Sequence, residues 1–266
     1  YEEPLASSDE LKEKSFAEIL QDRLSRYVGM YEDEIANKIK VEMNKNNKSY
    51  EATLIYNMLG VKNNRVEECD KAGILVKILK YRKQKGKNQQ FRLDDINFTE
   101  FDNEKMDDEI LDEDGNPAGW ENSALYKMLN DRKYLFVVFW EDERGSVFKG
   151  SQLWGMPDDD IEIVRDVWIR TKKIVRDGID FNVKEKGSKV VVENNLPGMS
   201  DNGIFHIRPH AQKAYYEFPD GRTIGSGSIA DSDLLPDGTR MTKQAYWLNR
   251  SYIDSQLVSD LRMEYK

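Results

Sequence analysis

Two stretches of almost uninterrupted apolar residues, ILVKIL at 74–79 and KYLFVVFW at 133–140, constrain this chain more than any other feature. Runs of that length rich in Ile, Val and Phe read as strands buried on both faces, since a strand with one wet face alternates apolar and polar residues. Such strands need helices to cover them. Phe16, Ile19, Leu20, Leu24 and Tyr27 recur at helical spacing, behind a Ser7–Glu10 pair that fits a capping box. Leu54, Ile55, Met58 and Leu59 mark a second core-facing helix, ended by Gly60. The segment QQFRLDDINFTEF at 89–101 reads as the antiparallel neighbour of the 74–79 strand, and KYLFVVFW as a central strand.

Further on, PDDDIEIVRDVWIRTKKIV at 157–175 reads as one long amphipathic helix. Its proline and three aspartates suit the positive N-terminal end of the helix dipole, and Lys172 and Lys173 suit the opposite end. IDFNV and SKVVVE are two strands joined through Glu185-Lys186-Gly187. IFHIRPHAQKAYYEF at 204–218 precedes a glycine-rich turn, GSGS at 225–228, and the tail at 241–261 reads as a short strand or turn feeding a final helix. The fold class is mixed α/β, α+β-like, with antiparallel strands and helices outside.

The 266 residues suffice for one large or two small domains, and 33% charged residues indicate a soluble, folded chain. No apolar run approaches the ~18 residues of a membrane span, so no membrane partner is expected. One cysteine, Cys69, excludes an intrachain disulfide and fits a reducing, cytoplasmic compartment. The chain opens YEEPLASSDELKEK without Met, which suggests a processed protein or a piece of a longer one. The net charge of −9 is unevenly spread: residues 1–36 and 100–116 contribute −6 and −8, which leaves +5 on the other 213 residues. A basic face is therefore allowed. The acidic stretch 100–116 lacks the aspartate spacing of an EF-hand loop and reads as a solvated loop.

Seven motifs, in order, are KSYEATLIYNMLG, D-x-x-G-I-x-x-K, GWENSALYKML, KYLFVVFW, GSQLWGMPDDD, IRPHAQKA and AYWLNRSYI. Together they resemble the MutH and Sau 3AI family of GATC-specific endonucleases over most of residues 48–260. The likeness is greatest to the C-terminal half of the Sau 3AI restriction branch, whose chain holds two MutH-like halves. The resemblance implies a central mixed sheet flanked by helices in a restriction-endonuclease fold. Residues 1–14 would be a linker or N-terminal extension, and 15–266 the MutH-like DNA-binding domain.

Metal-dependent phosphodiester cleavage needs a hard oxygen shell for Mg²⁺, usually two carboxylates with phosphate and water, and a lysine beside the attacking water. The resemblance places the helix acid at Tyr56 and the second strand acid at Leu75, so both are lost. Asp70 and Lys77 match, two residues closer together than in the family pattern, and are read as vestigial. Their plain alternatives are a turn residue and a strand lysine facing solvent. One carboxylate and a lysine cannot assemble the metal shell, so no catalytic residue and no metal site are assigned. Glu67, Glu68, Asp94 or Asp95 would have to replace the missing acids. With only His206, His210 and Cys69 available, a structural zinc is excluded in practice.

DNA contact is the better supported chemistry. KILKYRKQKGK at 77–87 holds six bases in eleven residues, either a solvated hairpin end or an arm on phosphates. By resemblance, Arg208 pairs with guanine, worth about 1–3 kcal/mol of discrimination, and Pro209 fixes its approach. His210 and Lys213 belong to the same segment, Lys48 and Ser49 to a loop entering the groove. Trp247 aligns with a DNA-contacting aromatic, with core packing as its alternative, and Asn249 and Arg250 follow it toward phosphate or base edges. The expected function is a non-cleaving effector domain of a GATC-cutting type II restriction endonuclease. Its partners would be double-stranded GATC DNA and an N-terminal catalytic half that uses Mg²⁺. Two alternatives stay open: an active nuclease with a relocated acid, and a scaffold that touches only the catalytic half.

Overall fold

The computed structural model describes residues 5–41, 44, 47, 49–61, 69, 71–82, 91–96, 119–187 and 189–262. The chain divides into two compact units, one of Tyr1–Gln89, Met128–Met156 and Asp254–Lys266, the other of Gln90–Lys127 and Pro157–Ile253.

In the first unit, strands β1 (Ile74–Arg82), β3 (Lys133–Glu141) and β4 (Ser146–Trp154) form a mixed sheet in that order. β1 runs parallel to β3 and β4 antiparallel to it, so the 133–140 run is central. Tyr134 through Phe139 are all buried, as a strand covered on both faces requires. One face carries Ile74, Val76, Leu135, Val137 and Phe139. Helices α2 (Phe16–Ser25), α3 (Glu32–Ile39) and α4 (Tyr50–Leu59) cover that face through Leu20, Leu24, Ile35, Leu54 and Met58. The other face carries Tyr134, Phe136 and Trp154, with the last two rings stacked 5.4 Å apart.

Two sequence expectations change here. Ser7 and Glu10 do exchange hydrogen bonds, at 2.8 and 3.2 Å, but they precede only a one-turn helix, α1 (Glu10–Glu13). Lys14 is extended, and a second capping box, Ser15 with Glu18, opens α2. The 89–101 segment is not the neighbour of β1. Its described part, β2 (Phe91–Ile96), pairs instead with β12 (Gln244–Leu248) in the second unit. Local pattern identifies a strand, but its partner is set by contacts far apart in sequence.

The second unit is built on α6 (Asp158–Asp177), the next helix after the short α5 (Ala124–Asn130). Pro157 is its N-cap, and Ile161, Val164, Trp168, Thr171 and Val175 form its buried stripe. Trp168 meets Trp120 at 5.3 Å. β12 also pairs antiparallel with β7 (Phe205–Pro209), which makes a three-stranded sheet, β2-β12-β7. A four-stranded antiparallel sheet joins β10 (Ser232–Leu234), β11 (Arg240–Thr242), β8 (Tyr215–Glu217) and β9 (Thr223–Gly225) in that order. β5 (Phe181–Lys186) and β6 (Lys189–Asn194) form the expected hairpin. Helix α7 (Arg250–Gln256) follows β12. Mixed α/β architecture is what the sequence pattern implied.

Candidate nucleic-acid interface

β7 separates two environments by simple alternation. Phe205 and Ile207 enter the core, where the Phe205 ring stacks at 5.2 Å on Tyr246 of β12. His206 and Arg208 point to the opposite face. Across the ladder, His206 stands opposite Trp247 and Arg208 opposite Ala245. The small Ala245 leaves the diagonal open, and the Arg208 guanidinium lies 4.9 Å from the centre of the Trp247 ring. His210 meets the same indole edge-to-face at 5.9 Å.

Exposure rises along this face. His206 is 2% exposed, Arg208 and Trp247 are half-buried, and Pro209, His210 and Lys213 are exposed. A cation that starts inside and ends at the surface suits a ligand approaching from the 209–214 end.

The buried end is fixed by Asn249. Its Nδ2 donates to the Met199 carbonyl at 2.9 Å, which leaves Oδ1 to accept from His206 Nδ1 at 2.5 Å. The network therefore assigns the proton to Nδ1 of a neutral imidazole. Burial pushes the His206 pKa down, and the nearby Arg208 charge adds to this against the Asn249 hydrogen bond. His206 Nε2 and Trp247 Nε1 are buried and have no hydrogen-bond partner among the described residues.

The exposed end is braced from behind. His210 N donates to the Lys243 carbonyl at 2.7 Å. Thr242 Oγ1 accepts from Tyr215 N at 2.8 Å and donates to Tyr215 O at 3.0 Å. Between these anchors, Gly227 N donates to the Ala214 carbonyl at 2.9 Å. Gly225 has φ +105, and a Cβ there would meet Ala214 O at 2.0 Å. Only glycine permits that approach. The GSGS turn is thus a support for the 210–214 loop, a role its sequence alone did not signal.

Asn249 and Arg250 lie deeper: Asn249 is 2% exposed with its amide hydrogen-bonded to His206 and Met199, and Arg250 is 6% exposed at the start of α7. His206 was the missed residue, and the period-two series His206-Arg208-His210 was its available signal.

No protein-family model matches the chain. Over 269 aligned residues it is 30% identical to the type II restriction enzyme Sau3AI of Staphylococcus aureus, across 95% of this chain and 53% of that enzyme. The chain is a relative of that restriction enzyme. It spans about half the relative's length.

At the positions where the resemblance implies a metal centre, the residues do not fit one. Tyr56 packs against the core cluster that contains Ile74, as do Val76 and Ile78. Leu75 and Lys77 alternate to the opposite face of β1. Tyr56, Leu75 and Lys77 are therefore not gathered at one place, and the first two offer no carboxylate. Asp70 and Lys48 lie outside the described residues, as do Glu67, Glu68, residues 83–87 and the acidic stretch at 100–116. Asp94 and Asp95 are on β2, which pairs with β12 rather than β1. Ser49 is half-buried at the N-cap of α4 without a capping hydrogen bond from its side chain. Lys80 of β1 meets carboxylates: its Nζ lies 2.6 Å from Glu51 of α4 and 3.1 Å from Glu32 of α3.

Proposed function

We propose that this chain is a sequence-specific DNA-binding module of a restriction system, which binds double-stranded GATC without cutting it. In a longer polypeptide it would bind a second GATC copy and favour cleavage by a catalytic half that holds Mg²⁺. Looping between two sites raises their effective concentration, and a coupling of about 1–3 kcal/mol is ordinary for such an effector. The reading rests on one observation, the graded face on which Arg208 leads to exposed Pro209, His210 and Lys213 over a loop anchored at both ends. Rigid presentation of a forked cation is what bidentate guanine recognition requires. Likeness to a restriction enzyme supports DNA as the ligand class. The non-cleaving part is supported by Tyr56 and Leu75, which stand where the resemblance puts acids.

A second reading, cleavage through a relocated acid, draws on Glu51 and Lys80, a carboxylate and a lysine on the helix and strand in question. Against it, the Lys80 ammonium is already paired with both neighbouring carboxylates. Titration into labelled duplexes carrying GATC or a scrambled core, without Mg²⁺ and at one fixed salt concentration, tests the main reading. Preference for GATC, largely lost in Arg208→Ala, is the expected result. Equal or absent binding overturns it in favour of a scaffold. Nicking of a GATC plasmid with Mg²⁺, abolished in Glu51→Gln, would establish the second reading.

A further inference from the structure

We infer that Trp247 is a positioning residue for DNA recognition, which holds the Arg208 guanidinium in its reading orientation and itself makes no contact with the DNA. The inference deepens the DNA-binding reading above and rests on it. Trp247 lies on the central strand of its sheet, flanked by β2 and β7, and is half-buried, so most of its surface faces protein. Its indole takes Arg208 over the ring at 4.9 Å and the His210 edge at 5.9 Å. Both residues that would reach outward are thus registered against one rigid ring.

The surroundings favour this division of labour. Ala245 opposite Arg208 is too small to support a guanidinium, so the diagonal Trp247 is the support available across the ladder. A register shift between Tyr246 and Trp247 interrupts the pairing with β2 at this residue. Such irregularities re-aim a side chain relative to the regular pleat. An arginine that floats freely loses rotamer entropy on binding, whereas one already stacked on an aromatic face has less to lose. Trp247 Nε1 is buried, so the polar atom with which an indole would read a base edge is turned inward.

The test is a double-mutant cycle on the full chain, with binding to GATC and scrambled duplexes measured for wild type, Trp247→Leu, Arg208→Ala and the double variant. Trp247→Leu keeps apolar bulk but removes the ring face. Trp247→Phe keeps a smaller ring, serves where the leucine variant does not fold, and should recover part of the affinity. A stacked guanidinium near the surface predicts a loss of GATC affinity of about three- to tenfold in Trp247→Leu, with little loss on scrambled DNA. In the Arg208→Ala background the same substitution should change GATC affinity less than twofold. An equal loss with and without Arg208 overturns the inference, because Trp247 would then act on the DNA by itself. Unchanged binding in Trp247→Leu overturns it as well. A wild-type chain that does not prefer GATC would instead overturn the functional reading, and the inference with it.

Discussion

The ammonium of Lys80 lies 2.6 Å from Oε1 of Glu51, and 3.1 Å on its other side is Glu32, on a separate helix. One strand and two helices are joined through this charge. The Lys80 and Glu32 side chains are each 12% exposed, whereas Glu51 is 41% exposed and partly screened by water. Removing one partner of a fully buried pair costs about 3–5 kcal/mol, and exposed pairs contribute about 0–1 kcal/mol. For Lys80→Met the expected loss is intermediate, about 2 kcal/mol, chiefly from leaving Glu32 unpaired. In a chain of this size that lowers Tm by roughly 4–8 °C, measurable by calorimetry.

The same lysine sets an alkaline limit on stability. Burial pulls its pKa down, but the Glu51 hydrogen bond and the charges of Glu32 and Glu51 outweigh that and raise it. A folded pKa above the unfolded one means the contribution is complete below the ordinary lysine pKa of about 10.4 and is lost as pH rises through the folded value. Wild type should therefore show a fall in Tm above about pH 10 that Lys80→Met lacks. Parallel alkaline profiles for the two proteins would refute the assignment.

His206 works in the opposite direction. Its folded pKa is depressed, first by burial and then by Arg208, so its contribution is complete above about pH 6.5 and is lost as pH falls toward the folded value. Melting curves between pH 7.5 and 5 should fall more steeply for wild type than for His206→Gln, which has nothing to protonate. Asn249→Ala strands both the His206 donor and the Met199 carbonyl. His206 is buried, so its stranded donor alone costs about 1–3 kcal/mol, and the variant should lose more stability at pH 7.5 than His206→Gln does.

These residues show where sequence reading reached and where it stopped. Strand β3, helix α4 with its Gly60 stop and helix α6 were legible because burial on both faces, a left-handed cap and a 3.6-residue stripe are all local signals. The partner of β2 was not legible, since residues 91–96 meet 244–248 across a separation no local pattern encodes. Arg208 stood out through the resemblance carried by IRPHAQKA. The burial of Asn249 was not legible, since it depends on Ile204, His206 and Met199 converging on it. The part played by Gly225 was hidden for the same reason, as Ala214 lies on another strand connection.

Gly225 and Gly221 give a paired test of that support. Both have positive φ, +105 and +84, but a Cβ on Gly225 would meet Ala214 O at 2.0 Å and one on Gly221 would meet nothing within 4 Å. Gly221→Ala should cost only the backbone strain, about 1 kcal/mol. Gly225→Ala must also move the 214 backbone, and is expected to cost at least about 2 kcal/mol more, which places it in the range of strained or overpacked substitutions. GATC binding should weaken in Gly225→Ala at a temperature where the variant is still folded, and remain near wild type in Gly221→Ala.

Arg208 and Lys213 should separate specificity from affinity. Arg208 is half-buried against Trp247 and oriented, which suits base-edge hydrogen bonds, whereas Lys213 is exposed on the 210–214 loop, which suits a phosphate. Arg208→Ala should reduce the preference for GATC over scrambled DNA by about 1–3 kcal/mol, roughly five- to 150-fold, with a smaller effect on scrambled DNA. Lys213→Ala should weaken both duplexes alike and reduce the slope of log affinity against log salt by about 1, since one fewer counterion is released. Affinities for both duplexes at several salt concentrations decide the matter. A change in specificity for Lys213→Ala, or in salt slope alone for Arg208→Ala, would reverse the two assignments.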